Sequence, residues 1–218
     1  VEINAYWYND LEIMKQFALL QQDNELAQHY AELADKVKEA FLLKFWNEEE
    51  NCLKDVLSGN SEENQVRCNQ VWVLSMPYTM LPKEKELCVL HKIKEELYTT
   101  AGLRTLSPRD NAFHDIYIGS MQERDRAYHQ GTVWAFPLGA YYRAWIKYLR
   151  QDASDNTSAY KAELAEGIEA IRYWLEEGCL GQLAEIYDGA NPTVSRGCFA
   201  QAWSVGELLR AVYEWEQL

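Results

Sequence analysis

The sequence is poor in the residues that staple or ligate a fold. Its five cysteines, Cys52, Cys68, Cys88, Cys179 and Cys198, are widely spaced, no CxxC pair occurs, and the four histidines are scattered. This argues against a disulfide framework and against zinc, so no metal or cofactor is expected, and reduced thiols in a cytoplasmic protein are. Basic charge is also scarce: 21 Lys and Arg stand against 34 Asp and Glu, a net charge of −13. An acidic surface repels phosphate backbones and anionic headgroups, which argues against nucleic acid and membrane partners. No apolar run approaches the ~20 residues a membrane helix needs; the longest, Val71 to Leu81, is broken by Ser75, Pro77 and Thr79. No signal peptide is visible, and the chain opens on Val1 and Glu2, so it reads as a chain cut from something longer.

What is present is helical periodicity. With 218 residues and 48% hydrophobic content, the chain suits one large or two small globular domains. Ile3, Trp7, Leu11, Met14 and Ala18 recur at three- and four-residue steps and predict one apolar stripe. Leu26, Tyr30, Leu33, Val37, Ala40, Phe41 and Leu43 continue the spacing in a second helix, with Asp23 or Asn24 as its N-cap. Asn47 to Asn64 is polar and acidic and reads as an exposed loop. A third helix is predicted over about 69–80, interrupted by Pro77, and a fourth from Pro82 to about Tyr98. Thr132 is placed to cap a fifth ending near Leu149. The sixth spans Ala159 to Glu177 and the seventh about Phe199 to Leu218. No segment sustains period-two alternation, so the fold class is all-α.

The connections carry the chemistry. Residues 101–131 lack periodicity over roughly 30 positions, well beyond the usual loop length, and such loops in compact domains are usually functional. They hold Arg104, Ser107, Arg109, Asp110, Asp125, Arg126, His129 and Gln130 among Phe113, Tyr117 and Tyr128. Residues 178–198 are similar, with Glu185, Tyr187, Asp188 and Arg196. Eight Trp and fourteen Tyr, several beside amides and acids, suit a sugar, which offers apolar C–H faces and a rim of hydroxyls. Trp46, Trp145, Trp174 and Trp215 read as helix-packing core; Trp7, Trp134 and Trp203 sit beside polar clusters and suit either core or platform.

These residues resemble a known family. Val1-Glu2-Ile3-Asn4-Ala5 before Trp7-Tyr8-Asn9, Arg67-Cys68-Asn69-Gln70, Gly102-Leu103-Arg104-Thr105-Leu106-Ser107-Pro108, Tyr128-His129-Gln130-Gly131-Thr132-Val133-Trp134, Glu185-Ile186-Tyr187-Asp188-Gly189 and Ala200-Gln201-Ala202-Trp203-Ser204-Val205 resemble, in order, blocks of the amylo-α-1,6-glucosidase domain of glycogen debranching enzymes. The resemblance implies an (α/α)6 toroid. The seven helices are too few to close twelve, so residues 1–218 are expected to be the C-terminal part of one such glucosidase domain. It also implies an α-glucan partner, glycogen or limit dextrin, and inverting hydrolysis of α-1,6-linked glucose.

Inversion needs an acid to protonate the departing oxygen and a base to activate water, ~6.5–9.5 Å apart. By resemblance, Glu185 is the base, and the acid lies in a stretch upstream of these residues; the chain alone is expected to be inactive. Glu2 and Asn4 match residues that bond glucose hydroxyls, or else stabilise a helix N-terminus. Trp7 is either platform or stripe. Arg67, Asn69 and Gln70 match a binding block in which Cys68 replaces the usual Pro. Arg104 and Ser107 match another, with the arginine placed to pair with a site carboxylate. Tyr128, His129, Gln130 and Trp134 are expected at the sugar. Asp188 and Asp125 are fallback carboxylates that hold a hydroxyl or orient Glu185, while Gln201 and Trp203 pack beneath the site. Two rival readings stand: another α-glucoside hydrolase of the glucoamylase or trehalase kind, and a non-catalytic glucan-binding scaffold. A partial ring would leave apolar helix flanks uncovered, so self-association or contact with missing chain is expected.

Overall fold

Eight α-helices carry most of the described residues of the computed structural model, which are 1–59, 64–151, 157–190, 192 and 194–218. The chain divides between Val89 and Leu90 into two compact units.

In the first unit, α1 (Glu2–Leu20) and α2 (Asn24–Phe45) form a helical hairpin. Asp23 is the cap of α2, its carboxylate accepting from the Leu26 N–H at 3.0 Å. Side chains at helical spacing, Ala5, Tyr8 and Leu11 on α1 and Ala27, Ala34 and Phe41 on α2, are buried. The expected stripe on α1 is divided. Leu11 and Ala18 face inward, but Ile3 and Trp7 are 67% and 51% exposed and Met14 is exposed too. At 100° per residue these three form a neighbouring apolar arc beside the buried one. The expected loop after α2 begins as a hairpin, β1 (Trp46–Asn47) paired with β2 (Cys52–Leu53). Asn47 organises its turn by accepting from the N–H groups of Glu49 and Glu50. Residues 60–63 of that expected loop lie outside the described residues.

A 3-10 turn (Cys68–Gln70) leads into α3 (Val71–Ser75). The third helix therefore stops well short of Met80. Pro77 forces the residue before it out of the helical region, and Met76 has φ −69° and ψ 154°. The loop beyond is tied to α1 by the buried Asn9, whose side chain bonds both the carbonyl and the N–H of Tyr78. Next comes α4 (Lys83–Glu96), directly after Pro82.

The second unit adds α5 (Met121–Tyr128), α6 (Phe136–Gln151), α7 (Thr157–Trp174) and α8 (Ala202–Glu216). Helix α6 is buried on nearly every side, from Leu138 to Leu149, as a helix enclosed by its neighbours must be. The sequence pattern missed α5, whose eight residues are mostly polar. It begins with a capping box: Ser120 accepts from the Glu123 N–H while the Glu123 carboxylate accepts from the Ser120 N–H.

The larger departure is a five-stranded antiparallel meander in a mostly helical chain. Its strands are β3 (Tyr98–Thr99), β4 (Gly102–Arg104), β5 (Val133–Trp134), β6 (Ile186–Tyr187) and β7 (Ser195–Arg196), paired in chain order. Thr132 consequently is no helix cap. It precedes β5, is buried, and its hydroxyl donates to the Ala127 carbonyl at 2.8 Å.

Candidate active site

The meander explains why distant loops meet. Strand β6 lies between β5 and β7, so the residues flanking these three strands become neighbours although 50 or more positions separate Trp134 from Ile186. Glu185 directly precedes β6, Cys198 follows β7, and Tyr128 closes α5 shortly before β5. The ladder continues beyond the strands. Ala135 N–H donates to the Glu185 carbonyl at 3.3 Å, and Glu185 N–H to the Cys198 carbonyl at 2.8 Å.

At this end of the sheet the half-buried Glu185 side chain is held on both oxygens. The Tyr128 hydroxyl donates to Oε1, and the main-chain N–H of Cys198 donates to Oε2 at 2.9 Å. Burial, together with the adjacent Glu185, pushes the Tyr128 phenol well above its ordinary range, so it stays protonated. Aromatic rings surround the pair. Trp134 lies 4.6 Å from the Tyr128 ring and its indole N–H donates to the Tyr128 carbonyl at 2.9 Å. His129 stacks on Trp134 at 5.3 Å. Trp203, at the start of α8, stacks on Phe136 at 4.4 Å and leans against Trp134. Trp134 is buried and Trp203 is 45% exposed, so Trp134 is the foundation and Trp203 the open face.

Other expected residues are engaged elsewhere in the same unit. The buried Asp188 is engaged by Arg196, which donates through Nε at 3.1 Å and Nη2 at 2.9 Å, and by the Tyr117 N–H at 2.9 Å. It ties β6 to β7 and to the long loop instead of presenting a free carboxylate. Arg104 donates to the Gly189 and Tyr98 carbonyls, at 2.8 and 3.4 Å, and so braces the loop after β6. Ser107 is buried; with Arg109 and Lys92 it surrounds Glu96. Gln201 caps α8, its side chain accepting from Ala202 N–H. Gln130 presents its carbonyl to the His114 N–H, and its own N–H donates to Ala127. Asp125 is exposed on α5. Gly131 has φ +125°, and a Cβ there would meet the His114 carbonyl at 2.5 Å, so only glycine lets the long loop close onto this segment.

In the first unit a second polar group forms. Asn69 donates from Nδ2 to Asp55 Oδ1 at 3.0 Å, with the charges of Glu2 and Arg67 close by. Burial above all holds the Asp55 carboxyl above its usual value. Gln70 is 1% exposed; its amide accepts from Leu53 N–H and donates to the Arg67 carbonyl, so it braces the turn. Asn4 is half-buried one turn from Val1, and Trp7 is open. Cys68 is buried, and burial pushes its thiol up to about 12. Arg67 has φ −124° and ψ 157°, the conformation that a residue before proline adopts.

Sequence reading missed Asp55, the Tyr117 N–H and the pairing of Arg196 with Asp188. Arg196 stood in the second loop as an unplaced cation; nothing in the local pattern marked Asp55. Among the described residues no three His, Cys, Asp or Glu side chains converge as metal ligands, and no helix is long and apolar enough to cross a membrane.

Residues 1–210 match the family described as amylo-alpha-1,6-glucosidase. This chain belongs to the amylo-alpha-1,6-glucosidase family. Mannosyl-oligosaccharide glucosidase of Saccharomyces cerevisiae is 26% identical over 184 residues, covering 76% of this chain and 21% of that protein. Glycogen debranching enzyme of the same yeast is 24% identical over 167 residues, covering 70% of this chain and 11% of that protein. Three solved structures resemble the fold. A sialidase has a TM-score of 0.69 at 15% identity, over 93% of this chain and 19% of its own. Neutral trehalase Nth1 from Saccharomyces cerevisiae has 0.64 at 14%, over 97% and 37%. Glucoamylase from Saccharomycopsis fibuligera has 0.63 at 13%, over 99% and 55%. The chain of this glucosidase family member is therefore mostly α-helical and corresponds to part of an (α/α)6 toroid.

Proposed function

We propose that this chain supplies the base side of an inverting glycoside hydrolase that removes α-1,6-linked glucose from glycogen or limit dextrin branch points. The observation that carries the reading is the Glu185 carboxylate, held on both oxygens beside a partly open aromatic pile. In this reading a glucose ring lies against Trp203, its C–H face on the indole. Glu185 takes a proton from a water whose oxygen forms the new bond to the anomeric carbon. The glycosidic C–O bond breaks with its electron pair leaving on oxygen, which receives a proton from an acid outside these residues. Both units are read as pieces of one toroidal domain acting in the cytoplasm on α-glucan. The polar group of Glu2, Asn4, Arg67 and Asn69 is assigned to sugar hydroxyls.

The uncovered apolar side chains support contact with further protein. Ile3, Trp7, Phe17 and Leu20 on α1, and Leu209 and Tyr213 on α8, are exposed, as expected where the rest of a domain or a second copy packs.

The test is the full-length protein with Glu185→Gln, assayed for glucose released from limit dextrin. Release by the parent and its loss in the variant are expected; equal release removes Glu185 from the reaction, and no release from either protein favours a binding scaffold. A second substrate reading has one specific support, the longer match to the mannosyl-oligosaccharide glucosidase. Faster turnover of a glucosylated mannose oligosaccharide than of limit dextrin would favour it.

A further inference from the structure

We propose that Tyr128 acts on Glu185 and not on the sugar: it is a positioning residue that, with the Cys198 main-chain N–H, fixes the plane of the carboxylate. The inference rests on the reading of Glu185 as the base and assigns the residue that aims it.

The geometry is that of a two-point clamp. The final torsion of a glutamate side chain is broad and roughly two-fold, so a carboxylate bonded through one oxygen still swings. Here a donor reaches each oxygen from a different element: Tyr128 at the end of α5, and Cys198 on the turn after β7. Each oxygen carries two lone pairs, and each donor uses one, which leaves one per oxygen in a fixed direction for the proton of a water.

Both arms of the clamp are themselves fixed. The Tyr128 carbonyl accepts from the Trp134 indole, and its ring is packed by Trp134 at 4.6 Å, His129 at 4.9 Å and Tyr117 at 5.6 Å. The Cys198 arm is held by the Glu185 N–H bond to the Cys198 carbonyl. The phenol remains a donor because burial and the facing carboxylate oppose its ionisation; Glu185 and Tyr117 are the titratable groups whose charges bear on it. A protonated phenol whose hydrogen is committed to Oε1 offers a sugar at most a lone pair, which fits positioning better than recognition.

The experiment compares Tyr128→Phe, Glu185→Gln and the parent, all full-length. Removing the hydroxyl keeps the ring, so its packing survives. Expected is a fall in kcat of about 10- to 100-fold, the scale of a misaimed catalytic group, with KM within about twofold and an unchanged melting temperature. An unchanged kcat, or a loss confined to KM, overturns the proposal. If Glu185→Gln retains turnover, the base assignment fails instead, and the two failures are distinct. Should Tyr128→Phe not fold, the donor state of the phenol carries the test without catalysis. The tyrosine ring bands of the Raman spectrum should change between the parent and folded Glu185→Gln from those of a strong donor to those of a weaker one; identical spectra overturn the clamp.

Discussion

Gly197 and Glu185 approach so closely that a Cβ at position 197 would stand 2.5 Å from the carboxylate Oε2, and Gly197 has φ +65°. The glycine therefore meets two demands at once, a left-handed turn and room for the carboxylate. Gly197→Ala should cost about 1–3 kcal/mol from the backbone conformation alone and displace the Cys198 N–H from Glu185. Expected are a lowered unfolding midpoint in denaturant and a loss of glucose release; an alanine variant with both intact would show that the turn has slack.

Trp203 presents nearly half its surface while stacked on Phe136. Trimming it to alanine removes an open aromatic face without emptying the core beneath, which Trp134 and Phe136 still fill. Trp203→Ala should weaken binding of an oligosaccharide about tenfold, on the scale of an aromatic contact worth roughly 1.5 kcal/mol, while the melting temperature changes little. Isothermal titration with a branched dextrin reads the first and calorimetry the second. Unchanged affinity would move the sugar off this face.

Glu96 supplies a pH-dependent term in stability. Burial alone pushes its carboxyl up, but hydrogen bonds from Ser107, Arg109 and Lys92 outweigh that and hold it below its ordinary value of 4.5. A folded-state value below the unfolded one means the stabilisation is present above the unfolded value and is lost as pH falls through the folded one. Glu96→Gln should therefore cost about 2 kcal/mol near neutrality, typical of charged hydrogen bonds, and the gap from the parent should narrow below pH 4.5. Urea melts across that range check it; a gap that widens on acidification would refute the assignment.

How much of this was legible in the sequence follows from length scales. Helices α1, α2, α4, α6, α7 and α8 are long enough for apolar spacing to declare itself, and the cap of α2 is narrowed by sequence to Asp23 or Asn24, of which Asp23 holds it. The strands are two or three residues each, too short for alternation to register. Both partners of β5 lie far along the chain, so its place in the sheet is visible only once folded. That blindness has a consequence for the site. The motifs mark Glu185, Tyr128 and Trp134, but nothing local puts the Tyr128 hydroxyl against a residue 57 positions away. Sequence likewise marks Asp188 as a spare carboxylate, whereas in the fold Arg196 occupies it.

The meander also decides how the site can come apart. Each strand is too brief to persist alone, and every rung leans on the next, from Tyr98 through Leu103, Trp134 and Ile186 to Arg196. Fraying at one margin would travel across the whole ribbon, so the amides of these five strands should surrender their protons to deuterium together, as a single opening event.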